Sequence, residues 1–327
     1  MSDFLVFLFV ILVAFIGIGI MFLAVRYSRE MRAARERVDR LGSQVVETPC
    51  GPVEYARVGE GYPVLVVHGA LGGFDQGLWL ARGHGITNYQ VIAVSRFGYL
   101  RSPVPPGANL DLQADAFAFL LDALQIRQAA VFAASAGSTS AIRFAARHPE
   151  RVSALILLSP DAPGEIPMAL PPVFVFDTLL RSDFVYWALI TFLGRWLQNA
   201  AGFVPKGYHL TPDHQVLIRR IMLGNLPASP RADGMVFESY DIDAEYKASI
   251  TPASPYPLDK IETPLLVIHA LDDPIISFQN VCALAKQMPN ARLCAISDGG
   301  HFFFGHAEEV KAEIAQFLCG LTEKSPI

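Results

Sequence analysis

Five short runs, VLVVHG (64–69), QVIAVS (90–95), AAVFAAS (129–135), ALILLS (154–159) and PLLVIHA (264–270), contain no charged side chain and little polar interruption. Continuous hydrophobicity, in place of alternation, is what a strand needs when both of its faces are covered. Helical patterns lie between the runs. NLDLQADAFAFLLDAL (109–124) opens on Asn109, whose side chain suits an N-cap, and AGSTSAIRFAARH (136–148) stops at Pro149. Strands alternating with helices predict the α/β class, with a doubly wound, mostly parallel sheet covered by helices on both faces. Residues 45–57 read as a strand pair around Pro49, Gly51 and Pro52, and a strand at 291–296 followed by the amphipathic AEEVKAEIAQFLCG closes the chain.

The alternation lapses between Asp161 and Pro257. That segment carries repeated prolines and the strongly apolar helix pattern DFVYWALITFLGRWLQNAAG, in which Asp183, Gly194 and Arg195 leave too short an uncharged run for a membrane span. It reads as an insertion (161–257) that divides the core into 45–160 and 258–327. Its aromatic and aliphatic density exceeds what one helical face can hold, so the helix is expected either to be buried all round or to present apolar surface to a pocket.

Of the 327 residues, 52% are hydrophobic and only 17% charged, more apolar than a core alone accounts for. The excess sits at the N-terminus, where residues 4–25 carry no charge and match the roughly 20 apolar residues that a bilayer's hydrocarbon core demands. No basic residue precedes this run, and Arg26, Arg29, Arg32, Arg35, Arg37 and Arg40 follow it, so a retained anchor is favoured over a cleaved signal. Residues 26–44 are expected to continue it as a basic juxtamembrane helix. The arginine bias predicts a single-pass membrane protein with its body in the cytoplasm, and the widely spaced Cys50, Cys282, Cys294 and Cys319 fit reduced thiols there. A net charge of −5 despite the arginines leaves an acidic body, which argues against nucleic acid as a partner.

The segment VFAASAGSTSAIRFAARHPERV (131–152) turns from strand to helix through Ser135. A serine hydroxyl needs exposure at such a turn and a histidine to take its proton. The loop after VLVVHG can turn the Ala70 N–H into the same space, and with the N–H of Ala136 it can form an oxyanion hole. VIHALDDPIIS supplies Asp273, with Asp272 left open, and ISDGGHFFFGH supplies His301 in a glycine loop. His68 and His269 read as strand-end residues and His306 as a helix-start residue.

Together the His-Gly after an early strand, VSRFGYLRS (94–102), the AASAG elbow, HPERVSALILLSP, the DDP turn and the GGH loop make the chain from Val45 onward resemble the α/β-hydrolase superfamily, especially its lid-bearing esterase-like and lipase-like members. The resemblance implies Ser135 as nucleophile, Asp273 as orienting acid, His301 as base and 161–257 as a helical cap. It also implies a small-molecule acyl substrate, lipid-like if the cap lines the site, and no metal or organic cofactor. Ala133 departs from the first glycine of the elbow, and the lipase-type glycine run after His68 is absent. Two other readings share these residues: a non-catalytic binding protein of the same fold, and a cofactor-free C–C hydrolase or lyase. The predicted orientation is checked with reporters fused after Ile327: one that needs cytoplasm is expected to be active and one that needs export silent, and the reverse pattern contradicts it.

Overall fold

The computed structural model describes residues 2–162, 172–242 and 257–322. Its strands are β1 (Gln44–Thr48), β2 (Gly51–Val58), β3 (Pro63–Val67), β4 (Gln90–Val94), β5 (Ala129–Ala134), β6 (Val152–Leu158), β7 (Leu265–Ala270) and β8 (Ala291–Ile296), in one sheet of order β1-β2-β4-β3-β5-β6-β7-β8. The β1–β2 and β2–β4 pairs are antiparallel and all the others parallel.

Each of the uncharged runs forms a strand with both faces covered. Leu65, Val67, Val131, Ala133, Leu155 and Leu157 enter one core cluster, while the alternate residues Val64, Val66, Ala130, Phe132, Ile156 and Leu158 enter the other. The first cluster is capped by α3 (Leu110–Ala123), α4 (Gly137–Arg147) and α9 (Phe278–Lys286), and the second by α2 (Phe74–Gly83) and α10 (Ala307–Thr322). Two-sided burial at successive positions is why these strands show no polar alternation. Asn109 caps α3 as expected, its side chain accepting from the Leu112 N–H at 2.8 Å.

The strand order reverses about β3, whose neighbours are β4 on one side and β5 on the other. Val67 pairs with Ala133, so the loops leaving β3 and β5 emerge side by side at the carboxyl ends of the strands. In open α/β sheets this crevice is where ligands bind.

α1 (Ser2–Arg40) is one uninterrupted helix. Among the described residues it is the one helix long and apolar enough to cross a membrane, and its most apolar stretch is wholly unburied. The expected juxtamembrane helix at 26–44 stops four residues early, because Gly42 adopts a positive φ of 70° and Gln44 already belongs to β1. The lower part of α1 docks on the inserted segment, where Met31 and Ala34 are buried against Trp187 and Leu226.

Between β6 and β7 the described residues form α5 (Val173–Arg181), α6 (Asp183–Ala200), α7 (Pro212–Gly224), α8 (Ala232–Val236) and a π-helical turn at Phe237–Ile242. Residues 163–171 and 243–256 of the expected cap lie outside the described ones. α6 is not buried all round: Trp187 and Ile190 face inward, whereas Phe184, Phe192, Leu193 and Trp196 are exposed.

Candidate active site

Ser135 sits between β5 and α4 with φ of 49°, a left-handed conformation rare for a side-chain-bearing residue. Such a backbone costs about 1–3 kcal/mol and persists only when neighbours hold it. Here the Ser135 N–H donates to the Leu158 carbonyl at 2.9 Å, and the Ser135 carbonyl accepts from the Ser138 N–H at 2.9 Å and the Ser138 hydroxyl at 2.7 Å. The helix begins at Gly137, one residue later than the sequence pattern indicates, with Ala136 as its cap. The two small positions of the elbow are not equivalent. A Cβ on Gly137 would collide with the backbone carbonyls of His68 and Val67, so glycine is required there. Ala133 lies within β5 and turns its methyl into the core cluster, which accommodates it.

The carboxyl ends of β7 and β8 bring the other expected residues to this serine. His301 Nε2 is 3.0 Å from Ser135 Oγ, and His301 Nδ1 is 2.8 Å from Asp273 Oδ2. The second Asp273 oxygen accepts from the Ile275 and Ile276 N–H groups at 2.8 and 3.1 Å. Burial pushes the Asp273 carboxyl up, but the adjacent His301 and His269 and the Ile275 N–H outweigh it and hold the pKa below the ordinary carboxylate value. An ionised Asp273 can only accept, so the His301 proton belongs on Nδ1 and Nε2 is left facing the hydroxyl.

The alternatives at 272 and 273 separate cleanly. Asp272 accepts from the Gly299 and Gly300 N–H groups at 3.2 and 2.8 Å, which fixes the loop that carries His301 without touching the imidazole. That loop is further tied down by the Ser159 hydroxyl, which donates to the His301 carbonyl at 3.0 Å. Of the histidines read as structural, His269 lies 3.0 Å from the Ile276 carbonyl through Nε2, and His306 stands between Asp298 and Glu309 at the start of α10.

His68 and Arg96 show how the loop after β3 is aimed. The Gly69 carbonyl accepts from His68 Nδ1 at 2.7 Å and from the Arg96 guanidinium at 3.0 Å, both fully buried groups. In a trans peptide the N–H opposes the carbonyl, so a Gly69 carbonyl drawn into the core turns the Ala70 N–H the other way. Gly69 itself lies beside Ser135, where an added Cβ would be 3.4 Å from Ser135 Cβ. Burial and the Arg96 charge hold His68 far below its usual pKa, leaving it neutral with Nε2 free to accept the Arg96 N–H at 3.1 Å. Burial draws Arg96 down to about 10, so it stays charged at neutral pH, where it pairs with Glu238 of the inserted segment.

Sequence reasoning missed a second buried ion pair. Asp75, in the first turn of α2, is held by both terminal nitrogens of Arg231 at 2.9 and 2.8 Å, and Arg231 also donates to the Gly72 carbonyl and, through Nε, to the Pro227 carbonyl at 3.0 Å. Arg37 of α1 reaches the same carboxylate at 3.2 Å and the Gly224 and Leu226 carbonyls at 2.7 Å. One carboxylate thus joins the N-terminal helix, the inserted segment and the glycine loop. No short motif announces it, since its members lie 38 and 156 residues apart.

The sequence profile described as alpha/beta hydrolase fold matches residues 62–307. The chain is 29% identical over 236 residues to a 2-hydroxy-6-oxononadienedioate/2-hydroxy-6-oxononatrienedioate hydrolase of Burkholderia vietnamiensis, covering 70% of this chain and 76% of that one. It is 36% identical over 286 residues to a 2-hydroxymuconate semialdehyde hydrolase of Pseudomonas sp. (strain CF600), covering 80% and 88% respectively. Among solved structures it resembles an alpha/beta hydrolase fold protein from Nakamurella multipartita, with a TM-score of 0.68, 27% identity, and coverage of 85% of this chain and 99% of that one.

The two aspartates are expected to fail differently. Asp273→Asn should lower kcat by about 10⁴ with the fold retained, whereas Asp272→Ala should mainly destabilise, by about 1–3 kcal/mol, because two buried-loop N–H groups lose their acceptor. Since its folded pKa is depressed, Asp273 contributes stability above its unfolded value near 3.9 that is lost as pH falls through the folded value. Acid titration of thermal stability checks this: Asp273→Asn should flatten that limb, and an unchanged limb contradicts the assignment. From the profile match and the ordered elbow, aspartate turn and histidine loop, the chain belongs to the α/β-hydrolase family.

Proposed function

We propose that this hydrolase cleaves a carboxylic ester, or a related thioester or amide, through an acyl-enzyme on Ser135, and that α1 anchors it in a membrane with the catalytic body on the cytoplasmic side. The observation that carries the reading is the continuous hydrogen-bonded chain Asp273–His301–Ser135, at 2.8 and 3.0 Å. His301 Nε2 takes the Ser135 proton as Oγ attacks the acyl carbonyl, and Asp273 stabilises the imidazolium that forms. His301 then returns the proton to the leaving group. Negative charge on the former carbonyl oxygen meets the N–H groups of Ala136 and Ala70, each worth about 2.7–4 kcal/mol in such a hole. Water activated by the same imidazole then releases the acid.

The relatives' names favour a second reading, hydrolysis of a C–C bond in a 2-hydroxy-6-oxo-dienoate by the same serine. Substrates of that kind bring carboxylates that need a cation. Among the described residues, the two fully buried arginines that donate to the loop after β3, Arg231 and Arg96, are each already paired, with Asp75 and Glu238. That compensation, together with the apolar inserted segment, supports an uncharged acyl chain over a dicarboxylate.

A p-nitrophenyl ester series separates the readings. Catalytic efficiency should climb beyond acetate, by up to about fourfold per methylene if each buries about 0.8 kcal/mol of surface. A steady decline with chain length contradicts the apolar acyl substrate, and turnover of 2-hydroxymuconate semialdehyde faster than every ester would establish the second reading instead.

A further inference from the structure

The N-terminal helix and the inserted segment meet in a specific way. Tyr27 packs edge-on against Phe184 and Trp187 at 5.2 and 5.3 Å, Glu30 accepts from the Trp187 indole N–H at 2.7 Å, and Arg35 reaches Asp183 at 3.5 Å. Contacts that step from 183 to 187 along α6 while stepping from 35 to 27 along α1 make the two helices antiparallel at this crossing. α6 therefore leaves the contact heading toward the end of α1 where the uncharged run begins. Val25 is the last residue of that run, only two residues and about 3 Å of helical rise from Tyr27.

The inner side of α6 is fully occupied, with Trp187 packed on α1 and Ile190 on Ile218, Met222 and Phe304. Its outer side is not. Phe192 and Trp196, four residues apart, lie on one helical stripe with Leu193 beside it and are 58, 65 and 47% exposed, while Phe184, packed on Tyr27, still leaves half of its surface open. Arg195 is exposed on the same helix, and the exposed Arg29 and Arg32 follow the apolar run of α1. Burial raises the Glu30 carboxyl, but hydrogen bonds from Arg26 and Trp187 and the charges of Arg26 and of Arg219 on α7 outweigh it and hold its pKa below the ordinary value. Aromatic side chains bordered by arginines, beside the 22-residue uncharged stretch of α1, have the composition of a surface seated in the headgroup layer of an anionic bilayer.

We infer that the outer face of α6 lies in the interfacial layer of the same bilayer that α1 crosses, so that the inserted segment is a second, peripheral membrane contact. This rests on reading α1 as a membrane span. The consequence for the site is direct. Just beyond α6, Phe203 stacks edge-on against Phe302 at 5.1 Å, next to His301, so the helix that meets lipid on one side leads into the histidine loop on the other. An apolar acyl substrate dissolved in the bilayer then reaches Ser135 past α6 without crossing bulk water.

The test uses the full chain reconstituted in phosphatidylcholine vesicles containing phosphatidylglycerol, with brominated or unbrominated acyl chains. The chain has three tryptophans, Trp79, Trp187 and Trp196, so single replacements apportion the quenching. Bromolipid should quench the wild-type emission, and Trp196→Phe, which keeps an aromatic side chain in place, should reduce that quenching at least about twofold. Trp79→Phe should leave it unchanged. Quenching that is the same in Trp196→Phe as in wild type overturns the inference, even when the protein floats with the vesicles and the span is sound. Failure to float with the vesicles overturns the span and the peripheral contact together. Ester hydrolysis by Ser135 is read out separately and stands or falls on its own.

Discussion

The close passage of α4 over the end of β3 is the constraint from which the site follows. Gly137 lies against the carbonyls of Val67 and His68, leaving no room for a side chain, and this contact fixes where the chain turns after β5. The turn holds Ser135 in a left-handed backbone and places it, half-buried, at the crevice between the ends of β3 and β5. The same β3 end carries Gly69, whose carbonyl is drawn inward by His68 and Arg96, so the Ser135 turn and the Ala70 loop are positioned by one packing contact and one buried polar cluster. The strain at Ser135 is small against the packing that holds it. Val67, Ala133 and Leu157 are all fully buried in adjacent strands.

Buried charge links this centre to the rest of the molecule. Arg231 and Asp75 sit at 0 and 1% side-chain exposure, and replacing one member of such a pair typically costs about 3–5 kcal/mol because the other is left uncompensated. The pair adds little stability over an apolar contact of the same shape, so geometry is its more telling contribution. It holds the Gly72 carbonyl of the glycine loop to the inserted segment, while Arg37 brings α1 to the same carboxylate. α1 is thus packed into the body through its C-terminal half.

The sheet was legible because strands buried on both faces lose their polar residues, and the uncharged runs could be placed almost residue by residue. That Ser135, Asp273 and His301 would meet was legible from their order and from the glycines around them, although Ala133 broke the usual pattern. The structure explains that break, since only Gly137 faces a backbone collision. Sequence favoured Asp273 but left Asp272 open, because adjacent carboxylates after a strand differ in where the turn at Pro274 aims them. Arg96, Asp75 and Arg231 stayed hidden for another reason. Their partners are remote in sequence, and a lone arginine or aspartate carries no periodic signal.

The central claim is that Ser135 is the nucleophile, activated by the His301 that lies 3.0 Å away. Labelling of the full-length protein with a fluorophosphonate, followed by peptide mapping, tests it most directly. The account predicts one adduct, on the peptide containing Ser135, that disappears in Ser135→Ala and is strongly slowed in His301→Ala. Labelling that persists unchanged in folded Ser135→Ala protein would contradict it.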